Sequence, residues 1–320
     1  DQLAAVDVGS VLADLQQVPA LAENRVNLVT SRRFKEGALI GQMAKFIQAQ
    51  PPTQNGAALL ETFAEQVVRS GEIKSVSLHP EMDDQIQLEY LPQHMSKQFD
   101  RSPYYDKLML GYQHYIEVLK SYLTADEPEL WVPQVVKVFD DYRILAAIRH
   151  GALGLTQLNL QIEQRLLEAL SLQMSKQGDW YVGRPVMMTY NDYQLGLSNG
   201  DIGICFKRSR DGQSQFEVYF PSLEKWVPAT RLPKSIETAF VLTIHKSQGS
   251  EFTHTAVVLD EMAQDLLSKE LLYTAITRAK KVVSLLADPD ALVKSLIVKT
   301  MRKSGVLEQV NNLLGYSQNY

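Results

Sequence analysis

The sequence predicts an α/β fold, a parallel-sheet domain interrupted by a small antiparallel β-barrel. Three observations predict it. Buried strand patterns alternate with amphipathic helices in both flanks of the chain. From Trp180 to Pro233 the pattern changes to short β-type runs separated by turn dipeptides. After Pro233 the strand-helix alternation returns with "AFVLTI", "HTAVVLD", "LLYTAITRAKK" and "VVSLLAD".

Each element follows from local pattern. Between Gly37 and Gln50, Leu39, Ile40, Met43, Phe46 and Ile47 recur at helical spacing, and Pro51 with Pro52 stops the run. Further helices are expected over 57–69, 104–123 and 133–140, the last with Pro133 in its first turn. "YRILAAI" from Tyr142 to Ile148 reads as a buried strand, and a helix from Thr156 to about Leu172 follows a loop made compact by Gly151 and Gly154. The domain division is therefore 1–179 with 234–320, and 180–233 as the inserted barrel. Asn199-Gly200 and Asp211-Gly212 are its strongest turn signals.

Composition narrows the function classes. A chain of 320 residues with 45% apolar content can bury a sizeable core. Its net charge of −5 gives no global attraction to nucleic acid, so any such partner must be held in a local groove. The single Cys205 excludes an intrachain disulfide framework and a multi-thiolate metal site. No run approaches the roughly 20 apolar residues needed to cross a bilayer, and cytoplasmic location without a membrane partner is the expectation. The chain begins at Asp1 without an initiator Met, which points to processing or to a piece of something longer.

Three short segments carry candidate chemistry. In "LTIHKSQGSEF", Leu242 to Phe252, an apolar strand breaks abruptly into polar residues. Ligands of open α/β sheets bind at the carboxyl ends of strands, so Thr243 to Glu251 are expected on that edge, reached by one short helix. Thr243, Lys246, Ser247 and Gln248 suit phosphate oxygens, Gly249 allows close backbone approach, and Glu251 can accept from a hydroxyl. Taken alone, the segment reads more readily as a solvated polar turn. His245 and His254 lack metal-ligand spacing, and no metal site is expected.

In "LLYTAITRAKK", read as one helix, Leu272, Ala275, Ile276 and Ala279 form the buried stripe, while Thr274, Arg278 and Lys281 share another face. A guanidinium held on a rigid helix can stabilise charge on a transferring phosphoryl group. It can equally complement the helix dipole. In "SRRF", Ser31 to Phe34, two arginines stand where the dipole favours acids, so either an anion offsets them or the loop is simply solvated.

In their order and spacing, "TIHKSQGSEF" and "LLYTAITRAKK" resemble the fifth and sixth motifs of superfamily 1 DNA helicases, specifically the RecD-type branch. "DQLAAVDVGSVLADL" resembles the end of the third motif and "LVTSRRF" the fourth. The segments from "ILAAIRHGALGLTQLNLQIEQRL" to "WYVGRPVMMTYNDYQLGLSNGDIGI" resemble the stretches between. The resemblance covers nearly the whole chain and is weakest between Pro51 and Trp131.

It implies a RecA-like second motor domain without its own P-loop, interrupted by a Src-homology-like barrel over the DNA path. Gln2 would sense the γ-phosphate, and Arg33 and Arg278 would reach the nucleotide across a cleft. Gln248, Gly249 and Glu251 would couple nucleotide to strand. Thr243, His245, Lys246, Ser247 and Thr274 would lie near single-stranded DNA. Arg32 departs from the aromatic residue usual there. The implied cofactors are ATP and Mg²⁺ in the whole enzyme, with none held tightly by this chain. The implied partners are single-stranded DNA, RecB and RecC subunits, and an N-terminal RecA-like domain of the same protein. No G-x-x-x-x-G-K-[ST] run occurs in the chain. The expectation is half a five-prime to three-prime helicase motor, inactive alone. The alternatives are a non-catalytic nucleic-acid-binding module and a free-standing helicase of the same type.

Overall fold

A computed structural model of the chain describes residues 17–24, 39–51, 55–68, 85–172, 175–300, 309, 310 and 313. Gln2, "SRRF" and the segments matched to the third and fourth motifs lie outside the described residues.

The first described helices are α1 (Leu39–Ala49) and α2 (Gly56–Phe63), followed by strand β1 (Gln85–Tyr90). Next come α3 (Ser102–Met109), α4 (Gln113–Thr124) and α5 (Val132–Phe139), then β2 (Tyr142–Ala146) and α6 (Leu155–Leu170). The helical run expected over 104–123 is thus broken by a 3₁₀ turn, Leu110–Tyr112. The cause is a close approach, since a Cβ on Gly111 would lie 2.1 Å from Cζ of Tyr142. Only glycine admits that ring against the backbone.

Strands β3 (Pro185–Met187), β4 (Ile202–Arg210), β5 (Gln213–Phe220), β6 (Lys225–Pro228) and β7 (Glu237–Thr238) precede β8 (Val241–Thr243) and β9 (Phe252–Leu259). The chain continues through α7 (Lys269–Ile276), β10 (Ala279–Ala287) and α8 (Pro289–Ile297).

One sheet is parallel throughout, in the order β1-β10-β9-β2-β8. Successive residues serve opposite faces: Ile144, Ala146, Ala256 and Val258 join the core under α3 to α6, while Leu145, Val257, Leu259 and Leu285 join the core under α1, α2, α7 and α8. Covering both faces explains why these strands read as continuous apolar runs.

The second sheet is antiparallel, in the order β6-β5-β4-β3-β7. The expected closed barrel is therefore corrected to an open sheet, because its outer strands β6 and β7 do not pair. It also takes β7 from beyond Pro233, through Val186↔Thr238 and Met187↔Glu237. Alternation in a sequence encodes faces, whereas closure depends on the stagger between distant strands.

Tyrosines join the sheets. Tyr112 donates its hydroxyl to Phe240 O, Tyr115 to Gly183 O at 2.7 Å, and Tyr142 to Leu108 O at 2.7 Å. Burial pushes the Tyr112 hydroxyl up to about 12 and those of Tyr115 and Tyr142 well above their usual value, which keeps all three neutral donors. No described helix is long and apolar enough to cross a membrane.

The outer strand β8 is closed by a side chain. Asn159 of α6 donates from Nδ2 to Val241 O at 3.1 Å and accepts from Val241 N at Oδ1, 3.0 Å, as a further strand would. Replacing Asn159 with alanine strands both buried backbone groups, so urea denaturation should show a loss of about 3 kcal/mol. Asn159→Asp, which keeps only the acceptor, should lose part of it. An unchanged midpoint for the alanine variant would remove Asn159 from the account of this edge.

Candidate functional site

The break in "LTIHKSQGSEF" is the end of β8. Ile244 N still donates to Ala146 O at 3.1 Å, after which His245–Ser247 turn as a 3₁₀ helix. Thr243 Oγ1 accepts from Lys246 N at 3.3 Å, and Ser247, fully buried, donates its hydroxyl to Ile244 O at 2.6 Å. His245 is half-buried and Lys246 exposed. The Lys246 ammonium donates to Asn199 Oδ1 at 2.8 Å, tying the turn to the antiparallel sheet.

The register corrects the expectation that Thr243 to Glu251 share one edge. Thr243 is level with Ala146, the last residue of β2, and so lies at the carboxyl edge. Phe252 is paired with Ala279 and precedes His254, which is level with Tyr142, the first residue of β2. Ser250 and Glu251 therefore lie at the amino edge. Since β2 separates β8 from β9, the link must travel the height of the sheet, which sequence alone did not reveal.

Arg278 meets the link there. α7 ends at Ile276 and Thr277 caps it, so Arg278 and Lys281 are not on its face, and Lys281 belongs to β10. This corrects the shared face expected for Thr274, Arg278 and Lys281. Arg278 is 2% exposed. Its Nε donates to Thr274 O at 3.0 Å, Nη2 to Thr277 Oγ1 at 3.2 Å and Nη1 to Ser250 O at 3.3 Å. Phe252 N in turn donates to Arg278 O at 2.8 Å. Arg278 thus grips the link on both sides of exposed Glu251. Thr274 is fully buried, and it is its carbonyl that faces Arg278.

The structure therefore groups Gln248, Gly249, Glu251 and Arg278 along the descent to the amino edge, and Thr243, His245 and Lys246 at the carboxyl edge. Ser247 and Thr274 are inside the protein. Lys269 at the start of α7 donates to Gln48 O and Gln50 O, at 3.3 and 2.8 Å, at the end of α1.

One residue was missed. Arg143 of β2, 1% exposed, has its guanidinium 3.5 Å from the centre of the Phe139 ring and 4.7 Å from that of Phe252. It lines a cavity of about 300 Å³ shared with Asp201, Ser250 and Glu251, between the two sheets. The signal was a charge within the apolar run "YRILAAI". Arg143 Nη1 donates to Phe139 O and Tyr142 O, each at 3.2 Å, so it braces the turn into β2 and, through Phe252, the base of the link.

Among the described residues, no group of three or more His, Cys, Asp or Glu side chains could hold a metal ion. Among the described residues, Arg278 brings a guanidinium and Gly249 an exposed backbone to the link, and no glycine-rich phosphate cradle occurs.

Gly249 has φ +83° and open space where a Cβ would stand. Any cost of substitution is therefore a backbone cost. Gly249→Ala should destabilise the chain by about 1–2 kcal/mol in urea, with Gly249→Asn milder because asparagine tolerates the left-handed region. Equal stability of all three would show that the turn relaxes freely.

Known proteins resemble parts of this chain. The UvrD-like helicase C-terminal domain family matches residues 238–286, from β7 through nearly all of β10. The RecBCD enzyme subunit RecD of Haemophilus influenzae is 41% identical over 177 residues, 54% of this chain and 26% of that protein. The RecBCD enzyme subunit RecD of Mycolicibacterium smegmatis is 31% identical over 316 residues, 96% of this chain and 49% of that protein. The chain spans about half the length of that relative. Among solved structures, Pif1 helicase from Bacteroides in complex with ADP-AlF3 and ssDNA aligns with 69% of this chain and 56% of its own, at 15% identity and a TM-score of 0.33. RecD subunits are thus what this chain is similar to, one match running along nearly the whole sequence.

Proposed function

We propose that this chain is the C-terminal motor half of an ATP-dependent five-prime to three-prime DNA helicase, the alpha chain of exodeoxyribonuclease V, acting with RecB and RecC on double-strand breaks in the cytoplasm. The observation that carries the reading is Arg278 gripping Ser250 and Phe252 on either side of Glu251. The RecD relatives, named as RecBCD subunits, support it.

In this reading the chain is the RecA-like half that lacks the P-loop, and nucleotide sits at the amino edge between it and a P-loop domain. Bound ATP with Mg²⁺ would supply the free energy of γ-phosphoryl hydrolysis. Arg278, and Arg33 and Gln2 by resemblance, would face the phosphates, with Gln248 and the Gly249 backbone beside them. Arg278 is anchored through its own Nε and carbonyl, so its guanidinium would be pre-positioned for charge that develops in the transition state. Single-stranded DNA would pass Thr243, His245 and Lys246 at the opposite edge. The link 244–251 then spans both sites, and would carry a shift of Arg278 toward Lys246. The open antiparallel sheet, tied to the link through Asn199, would lie beside the strand.

Two measurements test this. In the full-length protein, Arg278→Ala should lower ATP turnover by about 10³-fold while nucleotide affinity changes far less. Equal losses in both would make Arg278 a structural residue. The 320-residue chain by itself should not turn over ATP, with or without single-stranded DNA. Robust DNA-stimulated turnover by the pure chain would overturn the division of the motor into halves.

A further inference from the structure

Between β3 and β4 the chain makes a long hairpin whose apex carries Tyr193, 91% exposed. A tyrosine left in water contributes nothing to the core, and one exposed ring is ordinary on a protein surface; what sets this one apart is its mount. The hairpin is built to hold it still. At its root Met188 N donates to Asp201 O at 2.9 Å and Gly200 N to Met188 O at 2.7 Å, and nearer the apex Asp192 and Leu197 exchange both backbone bonds, at 2.8 and 3.0 Å. Asn191 Oδ1 accepts from Asn199 N at 2.9 Å and Asp192 Oδ1 from Leu195 N at 3.0 Å, while Leu195 and Leu197 are buried beneath. The Lys225 ammonium donates to Leu195 O. Tyr193 is thus a free ring on a fixed mount.

Its position is fixed against the link as well, because Asn199 at the hairpin's root accepts from Lys246. The same turn carries His245, assigned above to the strand's path. Along the hairpin the exposed residues beside Tyr193 are Tyr190, Asn191, Gln194, Gly196, Ser198 and Asn199. A protein interface centres on an apolar cluster, with aromatic anchors set in pockets. Tyr193 at the apex, with half-exposed Tyr190 three residues before it and amides and hydroxyls around both, suits planar bases, whose faces stack while their edges stay hydrogen-bonded.

We propose that Tyr193 is a base-stacking platform for single-stranded DNA, held in register with the turn 245–247 by the Asn199–Lys246 hydrogen bond. This rests on the DNA-motor reading above. It adds a specific contact from the antiparallel sheet, one that grips a base whatever its identity and lets the strand advance past it.

The test uses the full-length protein and an oligodeoxythymidylate carrying 5-iodouracil. Ultraviolet light should cross-link the base to Tyr193. Tyr193→Ala should weaken single-strand affinity about fivefold or more, with Tyr193→Phe within about twofold of the original. The salt dependence of binding should be unchanged, since no phosphate contact is lost. Retention of full affinity by Tyr193→Ala would overturn the proposal. So would loss of co-purifying subunits by that variant with DNA affinity intact, which would make Tyr193 a protein-docking residue. If the original protein itself fails to bind single strands, the motor reading falls and this proposal with it.

Discussion

The architecture depends on the buried tyrosines between the two sheets. Tyr112 meets Tyr142 edge-on at 4.7 Å and Phe240 at 5.5 Å, and its hydroxyl reaches the carbonyl of Phe240 just before β8. Tyr115, one helical turn later, reaches Gly183 just before β3. The 3₁₀ turn and the helix it leads into therefore hold the parallel sheet with one ring and the antiparallel sheet with the next. Each hydroxyl neutralises a carbonyl that would otherwise be buried without a donor, at a cost of about 1–3 kcal/mol apiece. Without this joint the hairpin could not be fixed against the link, and Lys246 would have no stable partner in Asn199.

That joint also explains why the site is strung between two edges. The antiparallel strands intervene in sequence between β2 and β8, yet β2 and β8 are neighbours in the parallel sheet, in register from Ile144↔Val241 to Ala146↔Thr243. A chain leaving β8 must pass β2 before it can start β9. The polar run 245–251 is this passage, which is why it has one end beside Asn199 and the other in the grip of Arg278. The polar character of "HKSQGSE" reflects exposure on a route as much as chemistry at an edge.

Much of this was legible in the sequence, for reasons that differ by element. The strand at Tyr142–Ala146 and the helix at Leu39–Ala49 announced themselves because burial on two faces or one imposes a pattern that few alternatives share. Asn199-Gly200 marked a turn because glycine at φ +94° is a local requirement. "TRAKK" misled because alanine and lysine favour helices, whereas pairing of Ala279 with Phe252 across the sheet overrode that preference. Arg143 was hidden for the opposite reason, since its aromatic partners Phe139 and Phe252 are brought together only by the fold.

The interposed antiparallel sheet has a consequence for how the chain is made. Among the described strands β2 pairs with β8 and β9, and β1 with β10, so the parallel sheet cannot begin to assemble until synthesis reaches the last quarter of this sequence. Until then Ile144, Leu145 and their neighbours are without their strand partners, and topology of this kind folds slowly. The β4–β5 hairpin, whose residues are adjacent in the chain, can form first. Docked on the tyrosines of α4, it would shelter one side of the waiting strand. On the ribosome, the insert would be a chaperone for the domain it interrupts.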